Sequence, residues 1–85
     1  VNPTMAESMK DRLLRKLEEE FQLLDRELKV ELPKEILRAR ELGDLRENAE
    51  YHAAKERQRL VEARISMLQQ RASEIALINI DRIPT

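Results

Sequence analysis

The sequence predicts an all-α protein: an antiparallel two-helix coiled-coil hairpin with a short helix or kink after Pro33 and an acidic tip at about 43–47. Three observations carry this. Apolar residues recur at steps of four and three on both sides of the only glycine, Gly43, which is the spacing of a packed helical seam. The two stripes also reflect one another about a point between Asp44 and Leu45. Ile36 answers Ala53, Leu28 answers Val61, Leu24 answers Ile65, Phe21 answers Leu68, Leu17 answers Ala72, and Leu13 falls near Ile75. Finally, a composition of 39% charged and 2% aromatic residues is too poor in bulky side chains for a thick core and suits a single seam.

The same composition bounds the function. With 85 residues the chain makes one small domain. A formal net charge of −1 supplies no bulk basic field toward nucleic acid or membrane. The absence of Cys excludes a disulfide framework and fits a cytosolic protein. No run approaches the length of a membrane span and no signal-peptide core is present, so a cytoplasmic location without a membrane partner is expected.

The first helix has two candidate starts, Thr4 with Glu7 and Ser8 with Asp11, each a capping box. Leu13, Leu17, Phe21, Leu24 and Leu28 form its stripe, and Leu32 extends it to Pro33. Proline lacks the backbone donor and crowds the preceding turn, so a kink or restart follows, with a short helix from about 34 to 42. Gly43 sits where a left-handed C-terminal cap is wanted. The second helix runs from about 45 to 77, roughly 50 Å at 1.5 Å per residue. Residues 1–77 are thus the hairpin. Beyond it Ile78, Ile80 and Ile83 alternate with polar residues up to Pro84, so 78–85 reads as a linker or the start of a strand, with no second domain to follow. One seam leaves a thin margin over chain entropy, and hairpins are expected to pair weakly at high concentration over Leu14, Leu60 and Ile78. Met5, Met9 and Met67 read as packing residues.

Arg57, Arg64 and Arg71 form a row at seven-residue spacing, either a track for phosphates or one half of cross-hairpin pairs. The reflection favours pairs, Glu18 with Arg71 and Asp25 with Arg64. Arg38, Arg40, Arg46 and Lys55 lie nearer the tip without mirror partners, and any surface that touches nucleic acid is expected there. His52 stands without a second His or a Cys, which argues against a His-based metal site. Tyr51 either caps the end of the seam or contacts a partner.

At the tip, Asp44 and Glu47 are three residues apart and share one side of a first helical turn. One reading is an N-cap with its capping-box glutamate. The other is half a metal site, since two carboxylates are too few for Mg²⁺, which takes six oxygens and keeps several waters. Such a half site suits a protein that completes another macromolecule's active centre.

The run Ala39-Arg40-Glu41-Leu42-Gly43-Asp44-Leu45-Arg46-Glu47-Asn48-Ala49-Glu50-Tyr51-His52-Ala53-Ala54-Lys55-Glu56 closely resembles the tip signature of the Gre-type bacterial transcript cleavage factors. The resemblance covers nearly the whole chain, and the N-terminal half of a typical member. It implies a coiled-coil hairpin that enters the secondary channel of bacterial RNA polymerase. There the acidic positions, matched here by Asp44 and Glu47, help to hold a second Mg²⁺ and a water for cleavage of backtracked RNA. The chain would then not be an enzyme itself but would stimulate the polymerase's own activity, with nascent RNA and DNA as indirect partners. Arg40, Arg46, Asn48, Tyr51 and Lys55 are the positions expected to contact polymerase or RNA.

The chain departs from the family pattern in three ways. The family's C-terminal domain is expected to be missing, the stretch between Pro33 and Gly43 is shorter by about one helical turn, and the net charge shows no basic patch. The rival expectation is a structural or regulatory hairpin that occupies the channel, or joins a bundle, without promoting cleavage.

Overall fold

The structure, a computed structural model, describes residues 8–43 and 45–78, the side chains of 42 and 45–47 excepted. Helix α1, Met9–Arg26, opens at Ser8, whose hydroxyl accepts the Asp11 N–H at 3.1 Å. This is one of the two expected starts, and the Asp11 carboxylate in the first turn also suits the helix dipole. The other, at Thr4 and Glu7, lies outside the described residues, as do Met5 and the proposed linker beyond Ile78.

Near Pro33 the first arm passes through a π-helical segment, Glu27–Glu31, and goes on as α2, Leu32–Leu42. The Leu32 N–H donates to the Glu27 carbonyl five residues back. The sequence explains why the turn is wide. Leu24, Leu28, Leu32 and Ile36 follow at three successive steps of four. In an α-helix each such step overshoots a full turn by about 40°, so three would carry the stripe off the seam. A π turn takes up one residue more and returns the stripe to its partner. Pro33 suits this place, because it cannot supply the N–H that the regular ladder would need there.

Burial follows the shift. Leu32 and Ala39 are buried and Ile36 half-buried, while their predecessors Glu31, Glu35 and Arg38 are exposed. The added residue also advances the reflection by one. Ala54 is buried and Ala53 exposed, so Ala54 and not Ala53 answers Ile36. A second correction lies at the base. Leu13 is exposed at 42% and Leu14 is half-buried, because 14, 17, 21, 24 and 28 keep the alternation of three and four. Met9 and Met67 are exposed and not part of the core, since both lie off the seam.

Helix α3, Leu45–Ala76, runs without a break. It closes through the Leu77 N–H to the Ser73 and Glu74 carbonyls and the Ile78 N–H to the Ile75 carbonyl. Among the described residues Leu32, Ala39, Ala54, Val61 and Leu68 are buried, a single-file core. Leu17 and Phe21 line one groove with Leu68 and Ala72, as the reflection requires. The result is a rod of 64 × 25 × 14 Å. None of the described helices is long and apolar enough to cross a membrane.

Two bidentate ion pairs tie the arms together. Arg57 donates to Glu27 at 2.7 and 2.9 Å, and Arg64 donates to Glu20 at 2.7 and 3.0 Å. The partners differ from those expected. Arg71 lies 3.8 Å from Glu74, Asp25 lies 3.1 Å from Lys29, and Glu18 accepts from Gln22 at 2.7 Å. The cause is chain direction. Antiparallel helices bring like flanking positions together, and Glu20, Glu27, Arg57 and Arg64 each directly precede a seam residue. Glu18 and Asp25 follow one, and so lie on the other flank.

Hydrogen bonds from Arg64 and Arg57 hold the carboxyls of Glu20 and Glu27 below the ordinary glutamate range. A lowered folded value means stability that is present above the unfolded value and lost as pH falls through the folded one. The melting midpoint should therefore fall as pH drops below the ordinary glutamate range. Glu20→Gln with Glu27→Gln should flatten that part of the curve, as thermal melts by circular dichroism would register. An unchanged acid limb in the double variant would remove these pairs from the account.

Candidate functional site at the hairpin tip

The turn is made by Gly43, which caps α2 with φ 80° and ψ 0°, the left-handed conformation. A Cβ at this position would meet nothing within 4 Å, so only backbone conformation selects glycine. Gly43→Ala should therefore cost about 1–2 kcal/mol, the usual penalty of a left-handed L-residue. Urea unfolding that shows no loss would mean the turn re-forms elsewhere.

Glu47 lies in the first turn of α3, and Arg46 beside it. Asp44 falls outside the described residues. Asn48 is exposed one residue further on, and Arg40 is exposed in the last turn of α2, without an ion pair among the described residues. Tyr51 is half-buried with its ring edge-on to His52, centroids 5.5 Å apart. Lys55 stands further down α3, where its ammonium donates to Gln58 at 2.7 Å. The fold thus gathers Gly43, Arg46, Glu47 and Asn48 at one end and sets Tyr51 and Lys55 along the flank below. Arg57 and Arg64, held by glutamates, are engaged within the hairpin.

A groove of about 380 Å³ below the tip is lined by Glu35, Arg38, Glu50, Ala53, Ala54 and Arg57. Glu35 and Glu50 were not legible as neighbours in the sequence. Their levels match only once the extra residue of the π segment is counted.

The donor chemistry can be weighed against Mg²⁺. Asp44 and Glu47 offer hard anionic oxygens, which that ion prefers, but fewer than its six positions. Among the described residues no group of three or more His, Cys, Asp or Glu side chains could hold a metal. As a donor set the two carboxylates suit Mg²⁺ but cannot complete its shell by themselves.

A long two-helix hairpin whose signature residues cluster at one end defines a coiled-coil hairpin domain. The model of the N-terminal domain of transcription elongation factors GreA and GreB matches residues 9–76. Transcription elongation factor GreA of Pseudomonas aeruginosa is 49% identical over 70 residues, 82% of this chain and 44% of that protein. Its namesake from a Sulfurovum species is 53% identical over 62 residues, 73% of this chain and 38% of that one. The chain belongs to the GreA/GreB N-terminal family of transcription elongation factors. It spans less than half the length of these relatives. No solved structure matches it.

Proposed function

We propose that this hairpin enters the secondary channel of bacterial RNA polymerase and stimulates cleavage of backtracked RNA through Asp44 and Glu47. The observation that carries the reading is the position of the acidic pair. The pair falls within the matched family region, and Glu47 lies in the first turn of α3, at the turn end of a slender rod that suits a narrow opening. The reaction belongs to the polymerase, and the chain is its stimulator.

In this reading α3 sets the reach and Gly43 the sharpness of the turn. The two carboxylates supply part of an oxygen shell whose remainder comes from the polymerase. Mg²⁺ bound there would activate the attacking water and offset the charge on the phosphate. Arg46 and Asn48 lie next to the pair in sequence, within reach of polymerase or RNA. Arg40 sits behind them on α2, and Tyr51 and Lys55 on α3.

The test is a cleavage assay on stalled elongation complexes. Added chain should shorten backtracked RNA from its 3′ end in a Mg²⁺-dependent manner. A chain that competes for the channel yet releases no 3′ fragments would be a non-cleaving occupant, and the proposal would fail.

A further inference from the structure

The two long faces of the hairpin differ. The ion pairs Glu20–Arg64 and Glu27–Arg57 cross one of them. The groove lined by Glu18 and Gln69 opens on the other. On the ion-pair face lie the positions that directly precede a seam position, as Glu20 precedes Phe21, Leu23 precedes Leu24 and Met67 precedes Leu68. By this helical placement Met9, Leu13, Leu23, Leu60, Met67 and Ile78 all fall on that face, between 42% and 72% exposed. The opposite face carries Asp11, Arg15, Glu18, Gln22 and Asp25 on α1, and Arg59, Glu62, Ser66 and Gln69 on α3. The ion-pair face is apolar at its rim, whereas the opposite face is polar at its rim and apolar only in the floor of the groove, at Leu14, Leu17, Phe21, Leu68 and Ala72.

The charges on the apolar-rimmed face have a layout that selects its occupant. Glu20 and Glu27 form an acidic row on the first arm; Arg57, Arg64 and Arg71 form a basic row on α3. A second hairpin laid face to face about a two-fold axis along the rod sets each acidic row over its partner's basic row. A two-fold axis across the rod would instead set acid over acid and base over base. The first arrangement is also the one that pairs apolar positions, because Leu23 and Met67 stand at the same level of the reflection. Leu23 of one copy then meets Met67 of the other, and Met9 and Leu13 meet Ile78 at the base. Since the pairs are bidentate within each hairpin, covering them strands no charge.

We infer that this face self-associates, joining two hairpins side by side with both tips at the same end as a four-helix bundle. The acidic tips then lie together, which keeps the association weak. The inference is independent of any role at the polymerase.

Sedimentation of the chain from micromolar to millimolar concentration should show a monomer–dimer equilibrium. Leu23→Glu with Met67→Glu, both at exposed positions, should leave helicity intact and weaken the dimer by at least ~10-fold, the equivalent of one lost buried apolar contact. A monomer throughout the range would overturn the proposal and leave the face to a different partner. Orientation has its own readout. Leu23→Cys chains mixed with Met67→Cys chains should oxidise to the mixed disulfide in preference to either like pair. Preference for like pairs would overturn the tips-together arrangement.

Discussion

Asp44→Asn combined with Glu47→Gln is expected to lower stimulated transcript cleavage by orders of magnitude while leaving helicity and melting midpoint nearly unchanged. Asn and Asp cap a helix about equally well, so the first substitution retains whatever capping the position provides. The second removes a carboxylate from the first turn of α3, where its interaction with the helix dipole is worth about 0.3–1 kcal/mol. Neither loss should unfold the hairpin. Both substitutions replace an anionic oxygen that Mg²⁺ prefers with a neutral one, and a shared metal would be held far less well. Binding and chemistry should therefore separate: the double variant still competes with the parent for stalled complexes and no longer promotes cleavage. If the pair only capped the helix, activity would track helicity and the Asn variant would be mild. A folded double variant that cleaves normally would falsify the metal role of both residues.

The largest expected loss of stability lies at Leu32. It is 1% exposed and, among the described residues, is one of two large side chains fully enclosed, the other being Val61. Truncating a buried leucine to alanine costs about 2–5 kcal/mol, and a small domain holds only about 5 kcal/mol at the low end of the usual range. Leu32→Ala should thus leave much of the population unfolded near room temperature, seen as lost ellipticity and a broad, early melt. Leu23→Ala makes a control of the same chemistry, because Leu23 is 72% exposed and its loss should stay within about 0.5 kcal/mol. Equal melts for the two variants would mean that the seam does not carry the fold.

The hairpin itself was legible because its signal is redundant. Seven-residue spacing, reflection and a lone glycine all point to one turn. What escaped the sequence was one residue of phase. Three successive steps of four through Leu24, Leu28, Leu32 and Ile36 held the clue to the π segment, but a proline beside them offered a simpler explanation. That one residue decides whether Ala53 or Ala54 is buried. The ion pairs are not legible for a different reason: apolar reflection fixes level along the rod but not the flank, and flank depends on chain direction. Leu13 and Leu14 are adjacent leucines, which leave the phase open until the next turn is counted. At the tip, the residue types and their spacing could be read, whereas the chemical role proposed for them rests on the family resemblance.

The two arms do not share mechanical work equally. The second is one uninterrupted helix of 32 residues, while the first is divided by Glu27–Glu31 and the donor-less Pro33 into two lengths that grip it separately. A force applied at the turn is carried to the base by a single strut, α3, with the other arm acting as a jointed brace. Bending should concentrate at the joint, about midway along the rod. The end that carries the acidic motif can then swing through a small arc while its distance from the base stays constant.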